Sequence, residues 1–165
     1  IYSPIINNEI IQNVGLSRVN HCITSGTFFP REVLKIIGKF NEEYSVDCVD
    51  YDFCFKANRK GVNIYKIHGC NLTQIFGTPH ESIIFNLKSH IYPPERLFFI
   101  TRNHILLWRD FPDQVDSIIR KRILKDYVFG KIIKIILIED NKIKKVSSIL
   151  HGLLRGIIND RTQLY

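Results

Sequence analysis

No methionine occurs among the 165 residues, and the chain opens on Ile1. Both features point to a piece of a longer polypeptide. No C-x-x-C pair occurs among the four cysteines, Cys22, Cys48, Cys54 and Cys70. His21-Cys22 and His68-x-Cys70 match no standard zinc spacing, so buried, reduced thiols of a cytoplasmic protein are expected. The first residues lack the basic and apolar regions of a secretory signal. The longest apolar run, Ile132 to Ile138, is interrupted by Lys134 and is far too short to cross a bilayer. Glycine-rich phosphate loops, internal repeats and low-complexity tracts are also missing. These absences argue against a repeat array, a disulfide scaffold or a membrane-spanning helix within this stretch.

What is present is an ordinary globular composition, 45% hydrophobic and 24% charged, in one domain's length of chain. The net charge of +7 is unevenly placed. Residues 115–165 hold eleven Lys and Arg against five Asp and Glu, so +6 of it lies in the last third. A basic block of this kind suits nucleic acid, an anionic membrane surface, or water alone.

Residues 1–20 carry no strong period, with Asn7-Asn8 expected to turn the chain. His21 to Phe29 reads as a strand, rich in β-branched and aromatic residues and stopped by Pro30. A short helix over Arg31 to Ile37 closes at Gly38, and a loop runs from Lys39 to Val46. Val62 to Ile67 alternates as a strand does, and Asn71 to Phe76 is expected to form another. Residues 77–94 make a long connection carrying His80, Glu81, His90 and Pro93-Pro94. A helix from Glu95 breaks at Phe111-Pro112. A basic helix weakened by Gly130 follows over 113–138, then a turn at Glu139-Asp140-Asn141 and a last helix over Lys142 to Ile158.

The chain is organised around residues 47–61. Asp47, Asp50 and Asp52 precede or begin a short helix that carries Phe53, Phe55 and Ala57, then Arg59 and Lys60, and stops at Gly61. Acids in front, bases behind and a terminal glycine follow the capping and dipole rules. One aspartate caps a helix; three point to a second task. Upstream stands Ile23-Thr24-Ser25-Gly26-Thr27-Phe28-Phe29-Pro30, then Val33 to Glu42. Downstream stand Asn63 to Ile67, His90 to Arg96, and Thr101-Arg102-Asn103-His104-Ile105-Leu106-Leu107-Trp108-Arg109. In this order and spacing, residues 20–160 resemble the C-terminal part of bacterial family 2 glycosyltransferases of the rhamnosyltransferase-like branch.

The resemblance implies that Asp50, in Asp50-Tyr51-Asp52-Phe53-Cys54-Phe55-Lys56, is the general base. It would remove a proton from an acceptor hydroxyl as that oxygen attacks the anomeric carbon of a nucleotide-sugar, with inversion. Val49 stands where many members carry Glu. Read alone, Asp50 is equally an N-cap. Asp52 joins the candidate substrate-binding residues, although capping and solvation also account for it and for Asp47. Ser25-Gly26 matches a segment that underlies the sugars in the family, and a glycine there permits close backbone approach; relief of a packing clash is the other reading. His90, Arg96, Arg102 and Asn103 match residues that order the site rim or meet diphosphate, which guanidinium groups grip bidentately. A solvated helix face is their alternative. Gln74 stands where many relatives have a metal-binding histidine, with His80 a substitute. A divalent cation, Mg or Mn, is therefore expected to be held mainly by an N-terminal half outside this chain.

The expected fold is mixed α/β. By the resemblance, residues 1–110 are the acceptor-side half of a GT-A-like fold, and residues 111–165 are a basic helical extension. Implied partners are a nucleotide-sugar donor and a glycan or lipid-linked acceptor in polysaccharide synthesis, the piece alone being inactive. Residues 113–158 interleave apolar residues with Lys and Arg. They suit peripheral contact with the inner face of the cell membrane, packing on the domain, or a homo-oligomer. A nucleic-acid module has only charge in its favour and lacks clustered aromatics, so nucleic acid is not an expected partner. A pure interaction module leaves residues 21–61 unexplained.

Overall fold

A computed structural model describes residues 1–7, 15–44, 46–75, 78–82 and 87–161, without the side chains of 78–82, 87 and 88. The fold is mixed α/β. The chain divides into two compact units, Ile1–Ser45 with Val49–Ile75, and Val46–Cys48 with Phe76–Tyr165.

In the first unit, β1 (Tyr2–Ile6), β2 (Leu16–Val19) and β3 (Ile64–Leu72) form one sheet of order β1-β3-β2. β1 runs parallel to β3 and β2 antiparallel, with Val19 opposite Ile64. Two separate strands are expected over 62–67 and 71–76, but β3 joins them by continuing without a break to Leu72. Its register shifts between the pairs Ser3–Lys66 and Ile5–Asn71. Gly69, at φ 87°, lies inside that irregular stretch, in the left-handed region glycine tolerates. Phe76 lies outside the described residues.

α1 (Arg31–Ile37) ends at Gly38, whose N–H returns to Leu34 O at 2.9 Å. α2 (Val49–Arg59) buries Phe53, Cys54 and Ala57 against Ile1, Cys22 and Ile64. Phe53 stacks on Phe40 at 4.4 Å and meets Phe29 edge-on at 5.2 Å. Apolar surface of this kind stabilises by roughly 1.5–3 kcal/mol per fully buried large side chain. The strand expected over His21 to Phe29 does not form. Thr24 to Thr27 is a turn, and only Phe28 pairs, as a single bridge to Tyr2. β-propensity loses there to the turn chemistry of Ser25-Gly26.

In the second unit, the long connection expected over 77–94 contains a hairpin. β4 (Thr78–Ser82) pairs antiparallel with β5 (Leu87–Ile91), and residues 83–86 lie outside the described residues. α3 (Pro94–Asp110) begins on a proline, whose missing N–H costs nothing at a helix start, and ends before Phe111-Pro112. α4 (Ser117–Ile123) is capped by Asp116, whose Oδ1 accepts from Ile119 N–H at 2.8 Å. A π-helical turn, Leu124–Phe129, leads into α5 (Gly130–Ile138), and α6 is Lys142–Ile157. The helix expected over 113–138 therefore begins later, at Ser117, and runs without a break through a π-helical stretch to Ile138. A Cβ on residue 130 would lie 2.9 Å from Lys125 O, so the widened turn requires the glycine. α6 packs on α3 through Gly152 and Gly156; a Cβ on residue 152 would lie 2.5 Å from Phe98 O. No helix among the described residues is long and apolar enough to cross a membrane.

Glu139 closes this unit. Fully buried, it accepts from Lys131 Nζ at 2.5 Å, Lys145 Nζ at 2.8 Å and Ser89 Oγ at 2.9 Å. Burial by itself would raise its pKa, but the hydrogen bonds from Lys131, Lys145 and Ser89 hold it below the usual carboxylate value. Burial lowers Lys131, with Glu139 opposing the shift. Replacing Glu139 by Gln leaves two buried ammonium groups without a counter-charge. The expected cost is about 3–5 kcal/mol, read as a lower urea midpoint; an unchanged midpoint would contradict this account of the cluster.

Candidate functional site

The first turn of α2 presents Asp50, half-buried, to the turn at 24–27. Its Oδ1 accepts from Thr24 N–H at 2.9 Å. A second tie lies one helical turn on. Cys22 N–H points to Cys54 Sγ, Cys54 Sγ points to Cys22 O, both at 3.5 Å, and the two sulfurs are 3.9 Å apart. The Cys22 contact and burial both push the Cys54 thiol up, which suits a neutral packing role. Residues 22–24 are thus held against α2 at two points, Cys22 on Cys54 and Thr24 on Asp50.

The turn itself closes with Thr27 N–H on Thr24 O at 3.1 Å and Thr27 Oγ1 on Ile23 O at 2.6 Å. Gly26 sits at φ 69°, and a Cβ there would meet Leu72 Cδ2 at 3.1 Å and Pro4 Cγ at 3.2 Å. Both conformation and space therefore select glycine. This supports the packing reading of Gly26 and also places Ser25-Gly26 beside Asp50. Oδ1 is fixed by this contact, and no other hydrogen bond to Asp50 is found among the described residues. Asp52 is 1% exposed, and Lys56 lies 2.7 Å from its carboxylate.

His90, Arg96, Arg102 and Asn103 belong to the second unit, together with Val46, Asp47 and Cys48. Asp47 (φ 57°) and Cys48 (φ 63°) are two successive non-glycine residues in the left-handed region, each costing about 1–3 kcal/mol. Side chains of α3 hold them. Arg102 Nε donates to Asn103 Oδ1 at 3.0 Å, and Asn103 Nδ2 donates to Val46 O at 2.5 Å. Arg96 Nε lies 3.6 Å from Asp47 Oδ2, with its guanidinium over the Tyr92 ring at 4.7 Å. Arg102 and Asn103 are both fully buried. Arg96 is the more open of the two arginines, with its side chain 40% exposed.

His90 is exposed, and its backbone oxygen accepts from Lys131 at 2.7 Å. A cavity of about 190 Å³ beside it is lined by Tyr92, Tyr127, Lys131 and Asp126 among others. Burial raises both phenols. Burial also lowers His104, whose ring lies 5.3 Å from that of Tyr127, to about 4, so it is neutral at physiological pH.

No three His, Cys, Asp or Glu side chains come together as a metal site among the described residues. Gln74 instead pairs through its backbone with the side chain of Asn7, N–H to Oδ1 at 2.8 Å and O to Nδ2 at 3.0 Å. His80 lies in β4, its side chain outside the described residues. Two features are not read from the sequence: the Thr24 amide on Asp50 in the first unit and the left-handed pair Asp47-Cys48 in the second. Thr24-Ser25-Gly26 is the available signal for the first, as turn chemistry; dihedral strain at Asp47-Cys48 has no sequence signature.

No family model matches the sequence. Over 137 residues it is 27% identical to the dTDP-rhamnosyl transferase RfbF of Shigella flexneri, covering 82% of this chain and 44% of that protein. That similarity supports a distant glycosyltransferase relationship. The chain spans less than half the length of the relative it matches. No solved structure matches it.

The Thr24–Asp50 contact sets a stability test. Asp50→Ala removes the acceptor and is expected to cost about 1–2 kcal/mol, whereas Asp50→Asn, which keeps an acceptor oxygen, costs less than about 1 kcal/mol. Urea denaturation measures both. Equal losses, or none, would contradict the contact.

Proposed function

We propose that this chain belongs to an enzyme that transfers a sugar, rhamnose first among the candidates, from a nucleotide-sugar to a glycan or lipid-linked acceptor. In this reading the chain is the acceptor-side part of a GT-A-like catalytic domain, and Asp50 is its general base. The observation that carries it is the placement of Asp50: one oxygen anchored on Thr24 N–H, the other available, beside a turn whose glycine brings backbone close. The similarity to a rhamnosyl transferase supports the same reading.

The chemistry follows from what such a transfer requires. A neutral hydroxyl is a weak nucleophile, so its proton must leave as its oxygen attacks. Asp50 Oδ2 accepts that proton, the acceptor oxygen bonds to the anomeric carbon, and the bond from that carbon to the diphosphate breaks. Attack from the face opposite the leaving group inverts the anomeric configuration. Ser25 and Gly26 border the acceptor by their position beside Asp50. Arg96, half-exposed, meets anionic groups of donor or acceptor. Arg102 and Asn103 act one step back, as positioning residues that hold Val46. A divalent cation, where the whole enzyme binds one, compensates charge on the leaving diphosphate.

The test uses the full-length protein and a panel of nucleotide-sugars with lipid-linked and free glycan acceptors. Acceptor-dependent release of dTDP from dTDP-rhamnose, with inversion seen by NMR of the product, is the expected result. Transfer from a different donor changes only the sugar. Retention of configuration removes Asp50 as base, and folded protein that turns over no donor removes the transferase reading.

A further inference from the structure

α6 is apolar on two sides. Lys145, Ile149, Gly152 and Gly156 form its buried side, and the two glycines bring it against α3. On the opposite side, at helical spacing, Ile143, Leu150, Leu154 and Ile157 face outward, each more than half exposed. Ile133 and Ile136 of α5 are exposed to a similar degree. Ile136 shares with Ile143, Leu150 and Leu154 one open groove of about 620 Å³. Single exposed apolar residues are normal on a surface, but a contiguous stripe over two helices marks something that binds there.

Charge selects the occupant. Lys142 lines the groove and no acidic residue does. Lys144 flanks the stripe on its other edge, by helical position, and is exposed. The nearby acids are largely neutralised: Glu139 lies between Lys131 and Lys145, and Asp160 pairs with Arg155. Asp140, exposed at the α5–α6 turn, is the exception. Residues 115–165 as a whole carry +6. A second copy docked face to face would bring two lysine-edged grooves together, with like charges opposed. An anionic bilayer satisfies both features, taking the apolar stripe at its acyl boundary and the lysines at its phosphates.

We propose that the α5–α6 face docks on the surface of an anionic lipid bilayer, with Ile143, Leu150 and Leu154 inserted and Lys142 and Lys144 at the headgroups. The helices lie in the interface and do not span it, as their length requires. The proposal does not depend on sugar transfer.

Flotation of the full-length protein tests it, with phosphatidylcholine vesicles and with vesicles in which about a third of the lipid is phosphatidylglycerol. Binding is expected only to the second, and salt should weaken it. The triple variant Ile143→Ser, Leu150→Ser, Leu154→Ser should bind at least about 10-fold more weakly. The pair Lys142→Gln, Lys144→Gln should bind several-fold more weakly and lose most of the salt dependence. These side chains are exposed, so circular dichroism should be unchanged. If the triple variant fails to fold, the lysine pair decides. Absence of wild-type flotation overturns the proposal, and sedimentation then distinguishes a second copy on this face from a segment of the same chain. Equal binding by wild type and both variants overturns it as well.

Discussion

Thr24 donates its backbone N–H to the Asp50 carboxylate at 2.9 Å, and the organisation of the first unit can be followed outward from that contact. The donor is available because Gly26, left-handed and wedged between Leu72 and Pro4, closes the turn at 24–27 in place of a ladder. The acceptor is fixed because α2 is clamped by Phe53, Cys54 and Ala57 on the sheet. A carboxylate on the first turn also lies in the favourable field of its own helix N-terminus. An apolar core therefore sets the position of one oxygen of one side chain.

The second unit uses its buried polar groups differently. Unpaired, each of Arg102, Asn103, Glu139, Lys131 and Lys145 would be strongly destabilising at this depth. They are made tolerable in two groups. Arg102 and Asn103 lead to the carbonyl of Val46, beside the strained pair Asp47-Cys48. Glu139, at the α5–α6 turn, gathers Ser89 of β5, Lys131 from the start of α5 and Lys145 from the first turn of α6. Burying two ammonium groups on one carboxylate is a poor route to stability alone, because desolvation offsets much of the attraction.

The helices were legible where periodicity and punctuation agreed. Gly38, Phe111-Pro112 and the Glu139-Asp140-Asn141 turn mark boundaries that the structure keeps. The His21–Phe29 strand does not form because its β-branched and aromatic residues obey a turn set by one glycine. The hairpin within 77–94 was hidden by prolines and histidines that weaken any strand signal. The π-helical turn left only Gly130 as a trace, readable as a weak helix residue but not as a widened one. Asp50 stood out by its neighbours, but its partner is a backbone amide, which no side-chain motif encodes. Arg102 and Asn103 looked like surface groups because helical spacing gives a face without saying whether that face is covered.

The central claim is that Asp50 is a base and not merely a tether for Thr24. Single-turnover transfer by the full-length protein, compared for Asp50→Asn and Asp50→Ala, separates the two roles. Asn keeps the oxygen that Thr24 binds but cannot take up the acceptor proton; Ala loses both functions. If Asp50 is the base, both variants lose turnover by a similar factor, about 10²–10⁴, with donor binding retained. Near-normal turnover in Asp50→Asn, with a large loss only in Asp50→Ala, would show that the carboxylate holds the turn and that the proton goes elsewhere.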